Sequence, residues 1–234
     1  NENGLLTLMI GTGKVVMGNF ADINWSDGTY NLKTETDPEG GTNYNVTGSS
    51  PILSVPYALH AKNVKTYKVG DFAQGGIVFW VDETGQHGLV CAKKDQSDGA
   101  HWYAGEYGVT LATGDGPYAG KANTAIIITA QIAFGNIFQY PFAARICNEL
   151  QITENNKTYG DWYLPSKEEL NLMYQNRAII EETAIANGGK GFAGMYWSST
   201  EYDAENAWWQ SWHNGWQVKN NKQLHKSVRA IRAF

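Results

Sequence analysis

Four tryptophans fall within nine residues: Trp208, Trp209, Trp212 and Trp216, with Tyr202 upstream and His213 and Asn214 between the last two indoles. An exposed aromatic ring offers a flat apolar face, and neighbouring Asn, Gln or His side chains offer hydrogen bonds. Together they suit the C–H faces and hydroxyls of a sugar ring. In strict strand alternation Trp208, Trp212 and Trp216 share one face and Trp209 the other. A core can absorb one such row more easily than both. The set is therefore expected to bind glycan or another surface ligand, with an oligomer interface, which also favours Trp and Tyr, as the plainer reading.

Other chemistries are weaker. Glu201, Asp203, Glu205 and Asn206 could hold calcium, a cation that takes oxygen ligands, as could Asp95, Asp98 and Asp115. Their spacing matches no EF-hand loop, and a solvated acidic turn is the bland alternative. Cys91 and Cys147 have no metal spacing, and whether they pair is left open. None of the five histidines has a second His or Cys at ligand spacing, and no G-x-S-x-G, HExxH or P-loop occurs. These absences point away from an enzyme. The net charge of −5, with no basic cluster, points away from nucleic acid. The longest apolar run, AIIITAQIA (125–133), is too short to span a bilayer.

The elements that must position the aromatic segment read as α+β. Turn clusters rich in Gly, Asp and Asn separate short strands before residue 65. GLLTLMI (4–10), residues 30–36, residues 44–47 and residues 52–55 are the strand candidates, with Pro51 breaking the last two apart. They suggest a small β-sandwich-like module over 1–65, closed by a helical turn in VPYALHAK (55–62). The start at Asn1 reads as a mature or truncated fragment. A second domain, 66–234, opens with a hairpin of IVFWV (77–81) and LVCA (89–92) and continues into a long structured loop over 95–120. FAARICNEL (142–150) is a helix by pattern, with Phe142, Ile146 and Leu150 on one face. Pro165-Ser166 with Glu169 is a capping-box start for a second helix ending near Asn187-Gly188. Residues 124–134 carry both helical spacing and β-branched runs.

Three pieces of the second domain, GDWYLPSKEEL (160–170), YWSST (196–200) and VRAIR (228–232), occur in the order and spacing of a known pattern. As a set they resemble the C-terminal domain family of Legionella collagen-like proteins (the Fibrobacter succinogenes major paralogous domain type). The resemblance implies a C-type-lectin-like fold, related to that of formylglycine-generating enzymes, with two helices and a twisted antiparallel sheet. NWSDGTYNLKTETDPEGG (24–41) and VPYALHAK (55–62) resemble an N-terminal module of surface proteins of Bacteroidetes-type bacteria. That implies export, an extracellular or cell-surface place, and homo-oligomer or fibre neighbours.

Read physically, the three motifs are first a folding signature. Trp162 and Leu164 can wedge a helix onto a sheet. Of Arg229 and Arg232, at least one is expected to be partly buried and paired with Glu168 or Glu169. The functional expectation is a non-catalytic adhesion or recognition module acting through residues 201–216, without an obligatory cofactor, calcium being the one considered. The alternatives are a fibre subunit assembled through the N-terminal module and, least favoured, a formylglycine-type oxidoreductase, whose closely spaced cysteine pair is not evident here.

Overall fold

The computed structural model describes residues 14, 16–18, 29–52, 65–134 and 141–234. The chain divides into two compact units, residues 1–64 and 65–234.

In the first unit the described strands are β1 (Tyr30–Thr36) and β2 (Val46–Ile52), an antiparallel ribbon that pairs Tyr30 with Ile52 and Thr36 with Val46. The connecting turn is closed by Asp37, whose carboxylate accepts from the backbone N–H groups of Glu39 (2.9 Å) and Asn43 (2.8 Å). β2 runs straight through Pro51 rather than breaking there. Each strand of a two-stranded ribbon has a free edge, where a missing N–H costs no ladder bond. The strand expected at 4–10 and the helical turn at 55–62 lie outside the described residues.

The second unit is α+β. The expected hairpin is present as β4 (Gly76–Val81) and β5 (Gly88–Cys91), flanked by β3 (Phe72–Ala73) and, at the other edge, β13 (Ile231–Ala233). Val78 and Val90 point into one apolar layer, and Ile77, Phe79, Leu89 and Cys91 into the other. A sheet covered on both faces needs a continuous apolar run rather than an alternating one, which is what IVFWV and LVCA supply. A second sheet has the order β11 (Gln217–Asn221), β10 (Asn206–Ser211), β9 (Met195–Glu201), β12 (Lys226–Val228) and β6 (Ser97–Ala100). It is mixed, because β12 runs parallel to β9. VRAIR is thus not one strand: it leaves the second sheet at Val228 and enters the first at Ile231. A small ribbon of β7 (Ile152–Glu154) and β8 (Lys157–Tyr159) stands apart.

Four helices are described where two were expected: α1 (Ala119–Ala133), α2 (Ala143–Asn148), α3 (Lys167–Gln175) and α4 (Arg177–Ala186). The ambiguous segment 124–134 is helical, and the helix begun at Ser166 is interrupted at Asn176, which leaves helical geometry. The Ser166 cap is as predicted: its hydroxyl accepts from Glu169 N–H (3.1 Å), while the Glu169 carboxylate accepts from Ser166 N–H (2.7 Å). α2 is shorter than FAARICNEL and buries Ala143, Ala144 and Cys147, while Ile146 and Leu150 pack partly buried against the same core. Phe142, just before it, is buried.

The two motif arginines pair elsewhere than with Glu168 or Glu169. Arg229 donates to Asp95 (2.6 Å) and to the carbonyls of Ala92 (2.9 Å), Lys190 (3.2 Å) and Gly191 (3.3 Å). Arg232 donates to both carboxylate oxygens of Asp161 (2.6 and 3.1 Å). Glu169 is committed instead to a ring of donors, adding Tyr118 N–H (2.7 Å), Gly120 N–H (3.1 Å) and the Tyr163 hydroxyl (3.1 Å) to its cap. A Cβ on Gly120 would lie 2.4 Å from the Glu169 carboxylate, so this close approach requires glycine.

Candidate ligand-binding surface

β9 and β10 carry the aromatic segment through the middle of the second sheet. On one side Tyr196 reaches the layer beneath α3, and Gln210 bonds Asn171 of that helix (3.2 Å). On the other side Trp197 is fully buried, with its indole N–H donating to the Ala100 carbonyl (2.9 Å). Trp209 lies directly across from Trp197 and is half-buried, and Val218 lies across from Trp209. By alternation Trp216 and Met195 share that side. The sheet therefore overhangs its core. The side that is sealed at Trp197 is partly covered at Trp209 and exposed at Val218, Met195 and Trp216, the last at 68 %.

The expected parity fails beyond Ser211, because the chain turns there. Gly215 takes a left-handed φ of 77°, and a Cβ on it would meet the Tyr174 ring at 2.5 Å. The turn folds Trp212 inward, 6 % exposed, stacked on Phe192 (4.1 Å between centroids, 12° between planes) and edge-on to Tyr174 and Tyr196. It leaves His213, Asn214 and Trp216 outside, with Asn214 Oδ1 accepting from Trp216 N–H (3.2 Å). Trp208 is on the opposite side from Trp209, edge-on to exposed Tyr202 (5.6 Å) and under the Lys167 ammonium (4.9 Å). The Lys219 ammonium lies 3.8 Å from the Tyr202 ring. The seven residues expected to act together are thus split. Trp209 and Trp216 fall on the overhanging side, Asn214 bonds the Trp216 backbone, His213 lines a groove with Trp212 and Phe192, Tyr202 and Trp208 form a second cluster, and Trp212 belongs to the core.

Glu201, Asp203 and Asp95 have their own partners. Glu201 is buried, takes the Thr110 and Leu111 N–H groups at 2.9 Å, and pairs with the Lys222 ammonium at 2.6 Å. Asp203 closes its own turn, accepting from the Glu205 (2.9 Å) and Asn206 (2.7 Å) N–H groups and from the Asn206 amide. Among the described residues no group of three or more His, Cys, Asp or Glu is placed to hold a metal. Asp95 serves Arg229 and the Tyr196 hydroxyl. Burial raises its pKa, against the pull of Arg229. Cys91 and Cys147 are free, buried thiols, and burial pushes Cys91 up to about 12.

Two buried lysines were missed. Lys222 has no exposed side-chain surface and donates to Glu201, Gly108 O (3.0 Å) and Ala204 O (2.9 Å). Lys226 is 5 % exposed, with its ammonium 4.2 Å from the Trp209 ring and 5.1 Å from the Trp197 ring. The one available signal for Lys226 is parity, since in β12 it faces the same way as Val228.

Residues 88–232 match the family described as the Lcl C-terminal domain, and as this is more than half of the chain, the protein belongs to that family. Comparison with curated proteins finds no match.

Proposed function

We propose that, as a member of the Lcl C-terminal domain family, residues 65–234 act as an exported, non-catalytic recognition module. It binds glycan or another surface ligand through the overhang of the second sheet. The observation that carries this reading is Trp216, a large indole left mostly in water on the side of the sheet where Trp209 is half-buried, with Asn214 bonded to its backbone. Leaving that much apolar surface exposed forgoes about 1.5–3 kcal/mol of burial per large side chain. A stacking face for a sugar ring accounts for it.

A C-type-lectin-like arrangement is part of the proposal. In its support, the second unit closes on its own first strands. Phe234 and Gly88 exchange backbone hydrogen bonds (3.0 and 3.1 Å), and the Phe234 ring meets that of Tyr67 (4.8 Å). A long loop before α1 is pinned by side chains rather than by a ladder: Glu201 holds Thr110 and Leu111, and Asn123 holds Gly114. Such loops on a rigid frame are where binding residues concentrate.

The test is binding of the intact chain to an array of glycans and surface polymers. Trp216→Ala and Trp209→Ala are expected to lose the signal while keeping the fold. Absence of binding to every polymer, or binding that survives Trp216→Ala, counts against the proposal. The ribbon favours a second reading, assembly into a fibre or oligomer through the first unit. Every residue of β1 and β2 except Tyr30 is exposed, and an isolated two-stranded ribbon is marginal in water. A monomer by light scattering at high concentration removes that reading.

A further inference from the structure

Among the described residues Lys226 is the one buried cation of the second unit with no oxygen partner. Among the described residues its ammonium has no carboxylate at ion-pair distance. Its neighbours are Met195 Sδ (3.8 Å), a weak acceptor, and the faces of Trp209 and Trp197. The contrast is Lys222, which has three oxygen acceptors for its three protons. The Trp209 indole N–H is buried without a hydrogen-bond partner. A buried ammonium whose one hydrogen-bond partner is a thioether calls for a better acceptor, because weak satisfaction of a charged donor is costly.

Lys226 lines a groove of about 380 Å³ with Asp95, Asp98, Lys190, Met195 and His225. We propose that this groove binds a carboxylate, which accepts from the Lys226 ammonium and is reported by the Trp209 ring beneath that ammonium. A carboxylate suits the site better than a multiply charged anion. Asp95 is already neutralised by Arg229, but Asp98 is exposed and carries its charge into the same groove, which repels a second negative charge. The carboxylate can come from a simple organic acid or from an amino acid, whose ammonium would then face Asp98. The groove touches the recognition surface proposed above only through the Lys226 ammonium, 4.2 Å from the Trp209 ring, and does not depend on Trp216.

A stability argument supports a functional reason for the lysine. Burial alone lowers its pKa, with no compensating partner. Methionine would fill the same slot without an uncompensated charge, so lysine there is kept at the expense of stability.

The experiment is an NMR titration of the ¹⁵N-labelled intact chain, following indole N–H resonances, with that of Trp209 assigned by its absence in Trp209→Phe. Acetate, glycine and sulfate are the titrants. Saturable displacement of the Trp209 resonance by acetate or glycine is expected. Glycine tighter than acetate identifies an amino-acid carboxylate, and the reverse a simple one. Lys226→Met is expected to weaken the response about tenfold or more, the scale on which one charge-assisted hydrogen bond acts. That variant should keep a dispersed spectrum and melt no lower than the parent, whereas Trp216→Ala should leave the titration unchanged. No saturable shift, sulfate binding as tightly as acetate, an unaltered titration in Lys226→Met, or a lower melting temperature for that variant overturns the proposal.

Discussion

The Lys222 ammonium lies 2.6 Å from Glu201 Oε1, and neither side chain reaches solvent. Around that pair the long loop is assembled: Glu201 holds Thr110 and Leu111, while Lys222 holds the carbonyls of Gly108 and Ala204. Leu111 is kept in left-handed backbone geometry, φ 67°, which a bulky residue adopts only when its surroundings enforce it. The internal ammonium does for these oxygens what a bound cation would do.

Removing one partner is therefore costly. Lys222→Met strands a buried carboxylate and is expected to lose about 3–5 kcal/mol, read as a lower urea midpoint at unchanged slope. Because the oxygens are already satisfied, excess calcium or a chelator is expected to leave the melting temperature of the parent chain where it is. A rise with calcium would show a cation site that the Lys222 cage does not replace.

Two tryptophans four residues apart should behave oppositely. Trp212→Ala opens a cavity among Phe192, Tyr174 and Tyr196 and is expected to cost about 3–5 kcal/mol. Trp216→Ala removes a ring that is mostly in water, and its effect on stability should stay within about 0.5 kcal/mol. Equal losses in parallel denaturation curves would mean that Trp216 is packed in solution.

Arg229 is planar and reaches four acceptors, with its guanidinium 3.9 Å from the Phe192 ring. A lysine cannot reproduce that fork. Arg229→Lys is expected to destabilise by about 2–4 kcal/mol, since it leaves buried carbonyls and part of Asp95 unpaired. Hydrogen exchange should locate the loosening at residues 92–96 and 190–193. Protection unchanged there would contradict the role assigned to Arg229.

Lys226 gives a pH signature with a definite sign. Its folded pKa lies below its unfolded value, so between the two the unfolded chain binds the extra proton and stability falls as pH falls. The penalty vanishes above the unfolded value of about 10.4. The melting-temperature advantage expected for Lys226→Met should therefore shrink as pH is raised towards that value. An advantage that grows with pH would have the wrong sign.

Cys91 and Cys147 should resist thiol reagents in the folded chain at pH 8. Both are fully buried, and the thiolate is the reactive form. Titration before and after denaturation checks this, and rapid labelling of either in the native state would show that its cover opens.

Local physics was legible before any coordinates. The β4–β5 hairpin followed from two apolar runs around a glycine-rich turn, and the Ser166–Glu169 cap from residue types three apart, since both depend on neighbours in the chain. The family followed from three ordered motifs. The second half of the 166–187 helical region was misread because the break at Asn176 has no Gly or Pro to mark it. Pro51 was misread because edge exposure, not residue type, decides whether a strand tolerates it.

The sequence by itself determined the α+β character, the helix caps, the family and the excess of indole near residue 210. Only the tertiary structure decided which indoles are spare, that Arg229 and Arg232 meet Asp95 and Asp161, and that Lys222 is paired while Lys226 is not. Those outcomes depend on contacts between residues up to 134 positions apart. Ion pairing and burial are set by distance in space, and no spacing along the chain encodes it.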